Sequence, residues 1–160
     1  MDREVVFKGK IFEVVRKGGR EIVEHDDAVA IVPVSGGHVT LVRQERIATG
    51  GRVLELPAGM LEDGESPLES ARRELREETG LHGGAWVEVS AFFTSPGFTD
   101  EKIHLFIATD LEEGKASPEE TEDLELVRVP LDEVPSLVEE IEDGKTLAGL
   151  LLLLHLGLAG

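Results

Sequence analysis

Arg73, Glu74, Glu77 and Glu78 stand together in one short run of the chain. On a helix, Glu74 and Glu78 at i and i+4 present their carboxylates on one face, and Glu77 adjoins it. Like charges so placed cost an isolated helix about 0.3 kcal/mol. Arg72, Arg73 and Arg76 could offset that on a solvated face, which is a common use of such runs. The segment in front of the run favours chemistry instead. Leu54-Glu55-Leu56 reads as a strand, Pro57-Ala58-Gly59 as a turn, and Met60 to Glu65 as a short acidic loop. A strand–loop–helix of this kind can hold backbone carbonyls beside carboxylates. Hard cations take about six oxygens, usually from one or two carboxylates, waters and substrate phosphates. The residue types suit Mg²⁺ or Mn²⁺ and no soft metal.

The helix carrying these residues has clear ends. Ser66-Pro67-Leu68-Glu69 is a capping box with proline at the first helical position, and Gly80 is a natural C′ residue. Leu68, Ala71, Leu75 and Thr79 share one side at helical spacing. Upstream, Val5-Val6-Phe7 is a short apolar cluster. Ile11–Arg16 and Glu21–Glu24 flank a Lys17-Gly18-Gly19-Arg20 hairpin turn. Ala28–Val34 is a continuous apolar run, the pattern of a strand buried on both faces. Gly36-Gly37 turns the chain into a strand over His38–Arg43, and Val53–Leu56 is a further short strand. Downstream, strands are predicted over Trp86–Phe93, Ile103–Thr109 and Leu124–Val129. Thr94–Asp100 is a loop rich in turn formers, and Gly114–Asp123 is an acidic loop. Two helices are predicted over Leu131–Asp143 and Thr146–Leu156. Strands before, between and after helices indicate a mixed sheet with helices packed on it.

The 160 residues form one domain in this reading, with no internal repeat or linker. Sixteen Lys and Arg against 33 Asp and Glu give a net charge of −17. That charge repels phosphate backbones and anionic membranes, so neither nucleic acid nor membrane is an expected partner. A phosphorylated substrate must be met by divalent cations or by a few placed arginines. The chain has no cysteine, which excludes disulfides, thiol catalysis and Cys-built zinc sites. Its five histidines have no metal-binding spacing. MDREVVFKGK lacks the apolar stretch of a signal peptide. The apolar run Leu147–Leu158 is too short to span a bilayer, so the expected location is the cytoplasm.

From Gly59 to Leu81 the chain reads GMLEDGESPLESARRELREETGL. This resembles the Nudix box: Gly, five residues, Glu, seven residues, Arg-Glu, an aliphatic residue, any residue, Glu-Glu, any residue, Gly, an aliphatic residue. Gly59, Glu65, Arg73, Glu74, Leu75, Glu77, Glu78, Gly80 and Leu81 fill every defined position. The resemblance implies a Nudix hydrolase, which cleaves a nucleoside diphosphate linked to another moiety with divalent cations. It implies an α+β fold, an α/β/α sandwich around a mixed β-sheet, in agreement with the pattern of elements. By position it makes Glu74 and Glu78 the principal metal ligands and Glu77 a further ligand or partner of the metal site. It adds the Ala58 carbonyl to that site, makes Arg73 the group that orients the glutamates, and gives Glu65 the support of the loop–helix geometry.

Features outside the box are similar to the ADP-ribose pyrophosphatase branch. Val42-Arg43-Gln44-Glu45-Arg46 followed by LELPAG (54–59) is one. Ser95-Pro96-Gly97-Phe98-Thr99-Asp100-Glu101 is another, with Pro96 sixteen residues past Gly80. The acidic segment Pro118–Asp123 is a third. The likeness implies hydrolysis of ADP-ribose to AMP and ribose 5-phosphate. FAD, NADH, a nucleotide sugar, a diadenosine polyphosphate or nucleotide sensing without cleavage stand as rivals. Arg46, and with less support Arg43, is assigned to the substrate diphosphate, since Arg suits bidentate phosphate recognition. Pro96, Gly97 and Phe98 are read as shaping the nucleoside or terminal-ribose pocket. Glu120 or Glu122 is the candidate general base. Phe12, Phe93, Phe98 and Trp86 all stand as candidates for stacking on adenine, while Trp86 and His104 are otherwise expected to be structural. Residues 1–27 are expected to join a homodimer interface, as they do in that branch.

Overall fold

The computed structural model describes residues 2–119 and 123–158. It contains two sheets. Arg3–Lys8 (β1), Phe12–Lys17 (β2) and Arg20–His25 (β3) form a three-stranded antiparallel sheet. Gly18 and Gly19 turn β2 into β3 with φ of 55° and 76°, the left-handed pair that a two-residue hairpin requires.

The seven-stranded sheet is mixed. Ala28–Ser35 (β4) lies at its centre, and His38–Arg46 (β5) follows across the Gly36-Gly37 turn. Gly51–Glu55 (β6) pairs with the far half of β5. Ala58–Met60 (β7) pairs with the start of β4. His82–Phe93 (β8) and Lys102–Glu112 (β9) form a long antiparallel pair, and β9 runs parallel to β4. Glu125–Pro130 (β10) completes the sheet beside β5.

The helix Pro67–Thr79 (α1) packs on one face and Gly144–His155 (α3) on the other. β4 shows why its whole run is apolar. Val29 and Ile31 point into the core under α1, while Ala28, Ala30 and Val32 point into the core under α3. The architecture is thus the expected sandwich. Both predicted caps of α1 are formed: Ser66 Oγ accepts from Glu69 N–H, Glu69 reaches back to Ser66 N–H, and Gly80 takes φ 79°.

Two predicted elements are corrected. Pro57-Ala58-Gly59 does not make a turn. Ala58–Met60 is drawn into the sheet by tertiary pairing with Ala28–Ala30, a long-range effect that local turn chemistry does not report. Leu131–Asp143 is not one helix. Leu131–Glu133 is a 3₁₀ turn, Val134–Leu137 (α2) is a single turn of α-helix, and no helix runs beyond it to Asp143. Glu139, Glu140, Glu142 and Asp143 would fall at the negative end of a longer helix, where carboxylates are unfavourable. Asp143 instead caps α3, accepting from Thr146 N–H at 3.0 Å.

Candidate active site

Arg73 is the hub of the acidic face of α1. Its Nε and Nη2 donate to the two oxygens of Glu65 at 2.7 and 2.9 Å. Its Nη1 donates to Glu74 at 2.8 Å and to Glu77 at 3.3 Å, and Nη2 also reaches the Met60 carbonyl at 3.2 Å. One guanidinium therefore ties the acidic loop, the end of β7 and two helix glutamates together. It holds the Glu65 carboxyl down to about 2, helped by a backbone N–H, and its own pKa is raised by the same pairings, Glu65 first.

Glu74 and Glu78 face β7. Glu78 is buried and accepts from the Ala58 N–H at 3.2 Å. The Glu74 carboxylate lies directly over Gly59, where any Cβ would collide with it. A glycine at this position lets the Glu74 carboxylate lie against the strand. Pairing of β7 with β4 fixes the backbone of Ala58 and Gly59 against both glutamates.

A second charged cluster faces this one. Arg46, at the end of β5, donates from Nε and Nη2 to the two oxygens of Glu55, both at 2.7 Å. Lys145, in the first turn of α3, donates to the same carboxylate at 2.7 Å and to Asp143 at 3.0 Å. Glu55 is only 2% exposed. Burial is the largest effect on its carboxyl and pushes the pKa up. The Arg46 hydrogen bonds and the charges of Lys145 and Arg46 together outweigh it, so the carboxyl is held below its ordinary value.

Between the two clusters lies a cavity of about 670 Å³, within the range of small-molecule sites. Ala58, Gly59 and Glu78 line it on the α1 side, and Arg46, Lys145 and Gln44 on the other. Phe92, Phe93 and Ile103 give it an apolar wall. Among the predicted site residues, Arg46, Ala58 and Glu78 are therefore brought to one cavity, with Glu74 against Gly59 at its edge. Arg43 is not in its lining; it pairs with Glu125 at 3.5 Å. Pro96, Gly97 and Phe98 are also outside the lining, although Thr94 and Glu101 at the ends of their loop belong to it. Of the aromatic candidates, Phe93 lines this cavity and Phe12, Phe98 and Trp86 do not.

Glu120 and Glu122 lie outside the described residues. The flanks of their loop are fixed: Ser117 N–H donates to the Glu77 carbonyl at 2.8 Å, and Arg52 pairs with Asp123 at 2.6 Å. The His104 ring nitrogens lie 2.7 Å from Glu88 and 3.0 Å from Asp27.

Sequence reasoning missed Glu55 and Lys145. Glu55 sits in LELPAG, where the local pattern shows only a strand. Its alternation with the apolar Leu54 and Leu56 hides that it is buried. Lys145 lies 90 residues further on, and no local pattern links the two.

The donors around Glu74, Glu78 and the Ala58–Gly59 backbone are all oxygen, which fits a hard divalent cation. Among the described residues, no three carboxylate or imidazole side chains already form a metal-binding group. A cation here would rely on two helix carboxylates, main-chain oxygen and the substrate's own oxygens, as Mg²⁺ sites for phosphates commonly do.

Known proteins match this arrangement over most of the chain. A family model described as NUDIX domain matches residues 24–150. An ADP-ribose pyrophosphatase of Bacillus subtilis (strain 168) is 39% identical over 158 residues, covering 90% of this chain and 85% of its own. A methanol dehydrogenase activator of Bacillus methanolicus is 41% identical over 132 residues, covering 79% and 71%. A solved structure described as an ADP compounds hydrolase aligns with a TM-score of 0.82 at 26% identity, over 97% of this chain and 91% of that one.

Proposed function

Because the chain belongs to the NUDIX family, we propose that it hydrolyses the pyrophosphate bond of ADP-ribose to AMP and ribose 5-phosphate. The observation that carries this reading is a cavity with a helix carboxylate on one side and two cationic side chains on the other. Glu78 and the Ala58–Gly59 backbone form one side, and Arg46 and Lys145, the latter paired with Asp143, form the other. A diphosphate fits between a cation held by glutamates and two fixed positive side chains.

In this reading Glu74 and Glu78 hold Mg²⁺ or Mn²⁺ with the Ala58 carbonyl, and Glu77 supports them. When bound, the divalent ion supplies charge neutralisation for the diphosphate and lowers the pKa of an attacking water. Arg73 keeps Glu74 and Glu77 aimed. Arg46 grips the diphosphate, and Lys145 adds a second cation to the same end. Such positioning and charge stabilisation account for most of what a phosphoryl centre needs. Glu120 or Glu122 takes the proton of the attacking water. The Pro96-Gly97-Phe98 loop borders the nucleoside or ribose end, and Phe93 offers an aromatic wall. Arg43 stands further out and steers anions toward the cavity.

The exposed Val5, Val6, Phe7, Ile11 and Phe12 support a homodimer built through the N-terminal sheet. The net charge of −17 supports a cytoplasmic enzyme of small nucleotides that binds neither nucleic acid nor membrane. No helix among the described residues is long and apolar enough to cross a membrane.

Product analysis tests the reaction. ADP-ribose, FAD, NADH, GDP-mannose and a diadenosine polyphosphate are each incubated with and without Mg²⁺ or Mn²⁺. Metal-dependent AMP release, fastest from ADP-ribose, is the expected result. Faster cleavage of another substrate overturns the substrate, and nucleotide binding without cleavage overturns the reaction.

A further inference from the structure

Helix α1 has a second charged flank that the proposed reaction does not use. Arg72 and Arg76 are four residues apart and share a side. They stand two positions from Glu74 and Glu78, about 200° round the helix at 3.6 residues per turn. They thus face away from the catalytic cavity. A separate cavity of about 840 Å³ opens there, lined by Arg72, Arg76, His82, Gly83, Gly84 and Trp86.

The chemistry of this cavity is cationic and aromatic, in a chain with twice as many acids as bases. Arg73 and Glu77 also reach its rim. Arg73 is engaged by Glu65, Glu74 and Glu77, and holds the Glu77 carboxylate at 3.3 Å on its own side of the rim. Among the described residues, neither Arg72 nor Arg76 has an ion pair, whereas Arg3, Arg16, Arg43, Arg46, Arg52 and Arg128 all do. The Arg72 guanidinium instead lies 5.9 Å from the centre of the Trp86 ring. Trp86 is itself held in place. Its Nε1 donates to the Gly83 carbonyl at 2.7 Å, and Phe106 packs edge-on against it. Gly83 and Gly84 leave the neighbouring strand backbone without side chains, which opens the floor. His82 lies at the rim, its Nδ1 3.2 Å from the Gly80 carbonyl and its Nε2 3.8 Å from Glu112.

The geometry points to a second ligand site here, a pocket for the phosphate monoester of a nucleotide-sized molecule, held by Arg72 and Arg76 beside Trp86. Two free guanidiniums match the charge of a phosphate dianion, and Arg is the side chain best shaped to bind it. The cavity volume is that of a nucleotide site. Its position gives it a regulatory role. Ser117 N–H, on its rim, donates to the Glu77 carbonyl at 2.8 Å, where the acidic loop that follows β9 crosses α1. A ligand bound there touches that loop without entering the catalytic cavity.

Trp86 is the only tryptophan and the chain has no tyrosine, so indole emission reports this cavity alone. The full-length protein is titrated with AMP, ribose 5-phosphate and inorganic phosphate in the presence of chelator. The expected result is a saturable change in emission, weakened about tenfold or more by R72Q/R76Q, as loss of charge-assisted contacts predicts. The same change persists in E78Q and in R46Q. Equal affinity for all three ligands assigns binding to phosphate alone, and tighter binding of AMP adds the base. Both substituted arginines are exposed, so R72Q/R76Q keeps the fold, checked by circular dichroism. No saturable change overturns the site. So does a change that survives R72Q/R76Q, or one lost in E78Q.

Discussion

The two sides of the proposed catalytic cavity are built in opposite ways. The α1 side comes from one continuous segment, Gly59 to Leu81, whose glutamates, arginine hub and caps are all within a few helical turns. The opposite side is assembled from Arg46, Glu55 and Lys145, which meet from β5, β6 and α3. The first side is exact because its parts are covalently near. The second depends on a single buried carboxylate that gathers two distant cations. The α1 side should therefore fail through chemistry when it is altered, and the other side through binding.

Glu78→Gln makes the largest break. It removes a charge from the buried face of α1 and should lower kcat about 10³-fold or more with the fold intact, read by steady-state kinetics and circular dichroism. Wild-type turnover would remove Glu78 from the mechanism. Gly59→Ala tests the same side through shape. A methyl there displaces the Glu74 carboxylate, and a misplacement of that kind costs about 10²-fold in kcat. Unchanged kinetics would mean that Glu74 need not sit over the strand.

Glu55→Gln tests the assembled side. It should raise KM about tenfold, with a smaller effect on kcat, as expected for lost ground-state binding. It should also cost about 2 kcal/mol of stability in denaturant unfolding, because charged hydrogen bonds at a buried site are lost. A fall in kcat alone would contradict the division of labour between the two sides. Lys145→Gln should raise KM by a smaller amount, about threefold to tenfold, since Arg46 keeps its pairing with Glu55.

The smallest expected effect is on acid stability. Glu55 has its folded pKa depressed, so its contribution is fully present above the unfolded value, near 4.3 for Glu. It is lost as pH falls below that toward the folded pKa. Unfolding free energy measured between neutral pH and about pH 3 should thus decline less steeply in Glu55→Gln than in the parent chain. Parallel curves would show that Glu55 titrates alike in both states.

This contrast also decides what was legible in the sequence. Ser66, Glu69 and Gly80 announce α1 by themselves, because caps act over three or four residues. Glu74 and Glu78 announce a shared face by spacing alone. Ala58–Met60 could not be read as a strand, since its pairing partner lies in Ala28–Ala30 and Pro-Ala-Gly is locally a turn former. The helix expected over Leu131–Asp143 stops after Leu137, because carboxylates at its negative end oppose its extension. Lys145 was invisible as a site residue because only the packing of α3 brings it to Glu55.

The loop at Ser95–Asp100 has its own long-range hold. Val23 N–H donates to the Phe98 carbonyl at 2.8 Å, Asp100 N–H to the Val23 carbonyl at 3.3 Å, and His25 N–H to the Asp100 carboxylate at 3.0 Å. The loop is thereby stitched to β3, an edge strand of the N-terminal sheet. Shortening the chain before residue 25 would therefore unlace a border of the active cavity as well as remove an outer surface. Conversely, whatever clamps the N-terminal sheet, a second subunit included, tightens that seam from outside and can be felt at Thr94 and Glu101 without touching the substrate.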